Sequence, residues 1–268
     1  MNDTVAAMGE ARFVTLKPGE PGPHVFLVPG TGGRVEGFAD LANLLDTPMG
    51  VYAIEARGVD GNGPPDHDIE ALIGHYIDRV RSVQPHGPYF LMGHSFGGMV
   101  VFEMAQRLLA IEEPVGCLML LDTVVPKRFW PLHFILANFG SRARDHLKRV
   151  ASRPIRESFY YYSGRLSARR KGVHNIPADL KFGQDAAHML LANDMLFNRW
   201  APDFYPGRLS LFACPETRNL DNLWRSRVRE LETYKTEGSH LTAIERPFVT
   251  SLARDMSACL AKAMPGPV

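Results

Sequence analysis

The chain of 268 residues is long enough for one large α/β domain, so we expect a single domain over residues 1–268. Its apolar fraction of 45%, charged fraction of 22% and net charge of +1 are ordinary for a globular protein and exclude the strong basic bias typical of nucleic-acid binding. The chain contains three scattered cysteines, no apolar run of the ~20 residues that a membrane span needs and no secretory signal, so we expect a cytoplasmic protein with no disulfides, zinc site or membrane partner.

Short, continuous apolar runs predict the strands of a mostly parallel sheet, because such a sheet is covered on both faces. The runs are residues 24–30, 50–58, 89–93, 115–122 and 208–214, with an added edge strand at 11–19. Helical stretches lie between the earlier runs, at 35–45, 69–83 and 96–110, and a closing amphipathic helix is predicted at 248–264. Strand and helix in alternation predict an α/β fold with right-handed crossovers.

The alternation stops after Asp122, where a long segment with helical patterning runs to Trp200. An insertion of this kind after a strand is commonly a lid or a specificity module, and we place it at about residues 126–200. Residues 126–182 contain 13 Lys or Arg and 3 Asp or Glu, whereas the rest of the chain is net acidic. This basic segment predicts either a surface that steers an acidic partner or a solvated helix face.

Residues 93–97, GHSFG, match the G-x-S-x-G pattern of a nucleophile elbow, between a predicted buried strand and a predicted helix. The serine of an elbow has a strained backbone, and glycine neighbours let the strand and the helix approach closely. The helix that begins at Phe96 directs its N–H groups toward the serine oxygen. We therefore interpret Ser95 as a nucleophile; the alternative is a glycine-rich turn whose serine caps the helix.

A serine hydroxyl needs a base, and the base needs an acid that orients it. In the fold that carries this elbow, the acid and the histidine follow the serine, each after a later strand. Asp122 ends the next predicted strand, and His240 follows a small polar turn before the last helix. For Asp122 the alternative is a turn or cap aspartate. His94 adjoins Ser95 and is expected to point away from it.

Acyl transfer also needs N–H donors for the developing oxyanion. One is expected from the backbone of Phe96, the residue after the serine, and the other from Thr31 in the loop LVPGTGG. A phosphate-binding glycine loop is the alternative for this segment, but neither a P-loop Lys-Ser/Thr pair nor G-x-G-x-x-G follows.

Four segments together resemble the thioesterase domains of nonribosomal peptide and polyketide synthases: GHSFGGMVVFEMA, VGCLMLLDT, FYPGRLSLFAC and GSHLTAIERPFV. The resemblance runs from about residue 24 to residue 249. It implies an α/β-hydrolase fold with a helical lid, and a triad of Ser95, Asp122 and His240. It also implies that an acyl, peptidyl or polyketide chain is released from the phosphopantetheine of a carrier protein by hydrolysis or cyclisation. No cofactor or metal is implied, and the carrier is expected to dock near the basic lid.

The position of the acid separates two branches of the family that the chain resembles. Asp122 matches the product-releasing branch, whereas the stand-alone proofreading branch typically has its aspartate after a later strand, where Asp221 is a poorer candidate. Two other functions remain open. A serine esterase or amidase for free small substrates would have the same elbow without a carrier. A non-catalytic binding protein would share the fold, although an intact Ser-Asp-His set argues against it.

Overall fold

A computed structural model describes residues 12–59, 63–132, 134–135, 184–217 and 219–264. Within them, seven strands form one sheet. The strands are β1 (Phe13–Lys17), β2 (Val25–Val28), β3 (Val51–Ile54), β4 (Tyr89–His94), β5 (Val115–Leu121), β6 (Tyr205–Ala213) and β7 (Val228–Lys235). The helices are α1 (Ala39–Leu44), α2 (Ile69–Val83), α3 (Phe96–Ala110), α4 (Gln184–Arg199), α5 (Asp221–Trp224) and α6 (Val249–Ala263). Short 3₁₀ helices cover Glu36–Phe38 and Lys127–Phe129.

The sheet order is β1-β3-β2-β4-β5-β6-β7, and every neighbouring pair is parallel except β1 with β3. Parallel strands of one sheet require crossover connections; α3 connects the neighbours β4 and β5, and α2 connects β3 to β4, which lie on either side of β2. The predicted α/β-hydrolase fold, a mostly parallel sheet flanked by helices, is confirmed. The carboxyl ends of the parallel strands lie along one edge of the sheet, where this type of fold places its ligand sites.

Two buried cores cover the two faces of the sheet. Along β4, Tyr89 and Leu91 belong to the core that includes α2 and α3, whereas Phe90 and Met92 belong to the core that includes α1 and α6. Burial on both faces explains why the central strands are continuous apolar runs rather than alternating ones. It also makes the central strands a rigid support for the loops at their carboxyl ends.

Strand β7 was not among the predicted strands. Its sequence, VRELETYK, mixes charged and apolar residues, and most of its side chains are at least partly exposed because it lies at the edge of the sheet. The predicted strand at 50–58 is shorter in the structure because Arg57 and Gly58 already form a turn. The predicted helix at 35–45 is a 3₁₀ turn followed by the short helix α1.

The greater part of the insertion, including most of its basic residues, lies outside the described residues, so the assignment of 126–200 as a lid stays a prediction. Helix α4 is the longest described piece of the insertion. Trp200, just after α4, is buried against Phe102 and Trp224, and its Nε1 donates to Oε1 of Glu103 at 2.6 Å. The guanidinium of Arg128 donates to the carbonyls at the end of α4. These contacts fix the carboxyl end of α4 to the body of the protein.

None of the described helices is long and apolar enough to cross a membrane.

Candidate active site

Ser95 lies in a strained turn between β4 and α3. Its φ of 56° and ψ of −116° are values that residues with a side chain rarely adopt. The backbone N–H of Ser95 donates to the carbonyl of Leu121 at 2.9 Å, and its carbonyl accepts from Gly98 N–H at 3.0 Å. The described contacts include no capping hydrogen bond from the Ser95 side chain to α3, so the helix-cap alternative does not account for this serine.

The glycines of the motif are required by close backbone approach. A Cβ on Gly93 would lie 2.2 Å from the carbonyl oxygen of Gly97. A Cβ on Gly97 would lie 2.2 Å from the carbonyl oxygen of Val28, on the neighbouring strand β2. Any side chain at either position would collide with backbone, so the turn has the tight geometry that G-x-S-x-G predicts.

Strand register brings the candidate acid beside the candidate nucleophile. His94 at the end of β4 pairs with Leu121 at the end of β5. The next residues in each chain segment, Ser95 and Asp122, therefore leave neighbouring strands at the same edge of the sheet. Asp122 has a φ of 46°, a backbone conformation in which aspartate is found more often than most residues.

The Asp122 carboxylate is buried, with 2% of the residue exposed, and three donors surround it. Its Oδ2 lies 2.7 Å from Nδ1 of His240 and 3.2 Å from Oγ1 of Thr217, and its Oδ1 accepts from the backbone N–H of Cys214 at 3.2 Å. Burial alone would raise the pKa of this carboxyl, but the hydrogen bonds, led by that from His240, lower the pKa below its ordinary value. An ionised carboxylate only accepts, so Nδ1 of His240 carries the proton and Nε2 is left to act as an acceptor.

His240 is held through its backbone, while its side chain stays 35% exposed and accessible from solvent. Its N–H donates to Oε2 of Glu216 at 3.3 Å, and its carbonyl accepts from Nε2 of His94 at 2.9 Å. The His94 and His240 rings lie 5.0 Å apart between centroids. Burial, and to a smaller extent the charge of His240, lowers the pKa of His94 to about 4, so His94 is neutral and donates from Nε2. His94 therefore belongs to the site as a support for His240, a role that the sequence did not indicate.

The two expected oxyanion donors lie on the segments that flank Ser95. Phe96 is the first residue of α3, where a backbone N–H has no partner within the helix. A Cβ on Gly30 would lie 3.5 Å from Cβ of Ser95, so the loop that carries Thr31 lies against the serine. The carbonyl of Thr31 accepts from Nδ2 of Asn193, on α4, at 2.8 Å. The roles of Thr31 and Phe96 as donors stay predictions.

The alternative acid, Asp221, lies in a different environment. It begins α5, and its Oδ2 forms an ion pair with Nη2 of Arg225 at 3.0 Å, with 30% of its side chain exposed. Of these two aspartates it is Asp122 that contacts His240 in the described structure. Within the described ranges, no group of three or more His, Cys, Asp or Glu side chains is arranged to hold a metal ion.

Comparison with known proteins identifies the family of the chain and several relatives. A family model described as "Thioesterase domain" matches residues 23–260. Malpinin synthetase of Mortierella alpina is 39% identical over 111 residues, which are 41% of this chain and 1% of that protein. Polyketide synthase PksR of Bacillus subtilis is 34% identical over 111 residues, or 41% of this chain and 4% of that protein. The chain thus spans a few hundredths of the length of these relatives.

A solved structure covers nearly the whole chain. It is the NocB thioesterase domain in a covalent complex with a fluorophosphonate nocardicin G analogue. It matches with a TM-score of 0.65 and 25% sequence identity, over 92% of this chain and 99% of that one.

Proposed function

Because the chain belongs to the thioesterase domain family, we propose that it is a serine thioesterase that releases an acyl, peptidyl or polyketide chain from the phosphopantetheine of a carrier protein. The proposal rests chiefly on one observation. The strained Ser95 turn lies at the same sheet edge as a buried carboxylate that is hydrogen-bonded to Nδ1 of an accessible histidine. A nucleophile, a base and an orienting acid are the three groups that serine acyl transfer requires.

In the first half of the proposed reaction, Oγ of Ser95 attacks the carbonyl carbon of the thioester and gives its proton to Nε2 of His240. Asp122 holds the imidazole in the tautomer that accepts at Nε2 and stabilises the imidazolium that forms. The N–H groups of Phe96 and Thr31 stabilise the oxyanion. The carbon–sulfur bond then breaks, the sulfur leaves with the electron pair, and the imidazolium protonates it. The products are a free thiol on the carrier and an acyl ester on Ser95.

In the second half, a nucleophile attacks the acyl ester and gives its proton to Nε2 of His240. A new tetrahedral oxyanion forms and collapses, the bond between the acyl carbon and Oγ of Ser95 breaks, and the imidazolium returns its proton to the leaving Oγ. Water as the nucleophile gives hydrolysis, and a hydroxyl or amine of the acyl chain itself gives cyclisation. Both outcomes use the same three residues, and the chain requires no cofactor for either.

The charge state of the site supports this division of roles. The lowered pKa of Asp122 keeps its carboxylate ionised at neutral pH, as an orienting acid requires. His94 is neutral at the same pH because its pKa is lowered to about 4. His94 therefore adds no positive charge beside His240 that would oppose formation of the imidazolium.

An acidic carrier protein is the proposed partner, and the basic insertion is its proposed docking region. The excess of Lys and Arg in residues 126–182 would steer an acidic surface and hold the phosphate of the pantetheine arm. Reversing the charges at Arg169, Arg170 and Lys171 tests this partner. We expect a salt-sensitive loss of activity for a carrier-bound thioester and none for a small pantetheine thioester. Equal effects on both substrates would favour the alternative, in which the basic residues form only a solvated helix face.

The experiment that tests the proposed function is intact-mass analysis. The protein is incubated with a panel of acyl-pantetheine thioesters, and with the free oxyester of the same acyl group for each. We expect one acyl adduct, located by peptide mapping to Ser95, that forms from the thioester and is absent in Ser95→Ala. Adducts that form from the oxyester alone would favour a hydrolase of free small esters, and no adduct with any reagent, including a fluorophosphonate, would favour a non-catalytic protein.

A further inference from the structure

Helix α4 buries an amide among apolar side chains along the part of the helix whose side chains the structure describes. Met189, Ala192, Leu196 and Trp200 are buried along one side of this segment, and Asn193 lies among them with 3% of its surface exposed. An amide buried at such a position destabilises the fold unless its polar atoms find partners. Its Nδ2 donates to the carbonyl of Thr31 at 2.8 Å, across 162 residues of sequence.

The loop that carries Thr31 is also constrained by a hydrogen bond between two of its own residues. The carbonyl of Gly30 accepts from Gly33 N–H at 2.9 Å. In a trans peptide the C=O and the N–H point in opposite directions, so this bond also sets the direction of the Thr31 N–H. The Asn193 amide holds the next carbonyl, that of Thr31 itself. Both peptide groups that flank the Cα of Thr31 are therefore constrained, one by the loop and one by the insertion.

We infer that Asn193 is a positioning residue, which fixes the carbonyl side of Thr31, so that the Thr31 N–H is kept in place for the oxyanion from both sides and depends in part on the docking of α4. The inference rests on the proposed function, because Thr31 is an oxyanion donor only if Ser95 is the nucleophile. Asn193 itself does not touch the reacting atoms. Its loss is expected to slow the chemical step and leave substrate binding nearly unchanged, because the oxyanion exists only in the transition state and the intermediate.

The helix offers a matched control. Asn198 lies five positions further along α4, and its Nδ2 donates to the carbonyl and to Oδ2 of Asp194 at 2.7 and 3.1 Å, within the helix itself. Asn198→Asp therefore makes the same chemical change in the same helix without touching the loop at Thr31. An effect of the substitution on helix stability should appear in both variants, whereas the cost of a buried charge is specific to Asn193→Asp and is separated by Asn193→Leu, which carries no charge.

The test compares Asn193→Asp, Asn193→Leu and Asn198→Asp with the wild type. The readouts are the rate of labelling by a fluorophosphonate and the kcat and KM for an acyl-pantetheine thioester, with folded fraction measured by circular dichroism. A lost oxyanion donor costs about 10²–10³ in kcat, so we expect about 10- to 100-fold losses in kcat and labelling for Asn193→Leu, because the donor is displaced rather than removed, and a comparable loss for Asn193→Asp while its carboxyl is ionised. KM is expected to change little, and Asn198→Asp is expected to match the wild type.

The two Asn193 variants should also differ in their pH dependence. The carboxyl of Asn193→Asp becomes a donor once it is protonated, so its deficit relative to the wild type at the same pH should narrow as the pH falls. Asn193→Leu has no such group, and its deficit should stay constant. Protonation also relieves the cost of a buried charge, so the folded fraction is measured at each pH and the rates are compared per folded protein. At a residue that only packs, the rates per folded protein should not depend on the substitution.

The possible outcomes separate the inference from the proposed function. A wild type that is not labelled overturns the proposed function. If the wild type is labelled, three results overturn the inference alone. These are Asn193 variants that react at the wild-type rate, that differ from the wild type only by a higher KM, or that lose no more activity than Asn198→Asp. If Asn193→Leu fails to fold, the isosteric Asn193→Asp variant and its pH dependence still decide.

Discussion

The loop after β5 and the loop after β6 each carry an aspartate near the same edge of the sheet, yet their surroundings differ. Asp122, after β5, is buried among the donors of His240, Thr217 and Cys214. Asp221, after β6, is partly exposed and pairs with Arg225 one helical turn away. Two of the donors to Asp122 come from the loop after β6 itself. That loop therefore holds the acid in place rather than supplying it.

Magnitudes support this distinction between the two aspartates. An exposed ion pair such as Asp221–Arg225 contributes about 0–1 kcal/mol, and much of that is screened by salt. A hydrogen bond to a buried charged group contributes about 1.5–3 kcal/mol, and Asp122 accepts three. Position in the chain is compatible with either acid, whereas burial with converging donors favours Asp122.

The largest expected effect comes from loss of the nucleophile, Ser95, which is required whichever aspartate is the acid. Ser95→Ala should lower kcat/KM by at least about 10⁴, because loss of a triad nucleophile removes the concerted action of all three residues. Steady-state kinetics with an acyl-pantetheine thioester measures this, and thermal unfolding checks that the variant is folded. Retention of activity within about tenfold would rule out Ser95 as the nucleophile, since no triad loss is that mild.

The comparison between the two loops is tested by paired substitutions. Asp122→Asn should lower kcat/KM by about 10⁴ because the imidazole would be held in the wrong tautomer. Asp221→Asn should leave kcat/KM near the wild-type value, since it breaks only an exposed ion pair. Both substitutions are isosteric and both remove one negative charge, so each serves as the control for the other. The reverse ranking would indicate the arrangement expected for a proofreading thioesterase.

The pH dependence of kcat/KM distinguishes which group limits activity in acid. Protonated imidazole cannot accept the Ser95 proton, so we expect kcat/KM to fall as the pH is lowered. The pKa of Asp122 is lowered and that of His94 is about 4, so neither group accounts for a loss that begins near neutral pH. The native state is stabilised by ionised Asp122 above its ordinary pKa, and this stability is lost only as the pH falls through the lowered value. A profile flat down to pH ~4 would contradict a histidine base.

The smallest expected effect concerns the support that the loop after β6 gives to Asp122. Thr217→Val removes one hydroxyl donor at 3.2 Å and keeps the shape of the side chain. Only a part of the stabilisation from this hydrogen bond is lost in the transition state, because Asp122 keeps its other two donors; a share of about 0.5–1.5 kcal/mol corresponds to a loss of about 2- to 10-fold in kcat. Thr217→Ser, which keeps the hydroxyl, should restore most of this loss. Equal rates for Thr217→Val and the wild type would mean that the Thr217 hydroxyl does not help to hold the acid and would leave Cys214 as the donor from this loop.

The sequence predicts the framework of the fold well because the central strands are buried on both faces and so appear as continuous apolar runs. It fails at β7, where an exposed edge strand of mixed charged and apolar residues lacks that pattern. The shortened strand β3 shows the other weakness, since an apolar run does not reveal where a turn begins.

The sequence likewise indicates some residues of the candidate site and misses others. Ser95, Asp122 and His240 are chosen from motif and chain order, and their catalytic roles stay predictions. Their supports could not be found from sequence, because each joins segments far apart in the chain. His94 and His240 are separated by 146 residues, Thr217 and Asp122 by 95, and Asn193 and Thr31 by 162. The sequence offered two signals for these supports: His94 at the end of an apolar strand and Asn193 among the apolar residues of a helix.

The most direct test of the Ser95–His240–Asp122 assignment observes the proton between the base and its acid. A proton–nitrogen correlation spectrum of protein labelled in its histidine rings should show a strongly deshielded Nδ1–H of His240, because this proton is donated to a carboxylate at 2.7 Å. The signal is assigned by its loss in His240→Gln. We expect it to be lost or strongly shifted in Asp122→Asn and unchanged in Asp221→Asn. A signal that persists in Asp122→Asn and disappears in Asp221→Asn would contradict the assignment and transfer the role of the acid to the loop after β6.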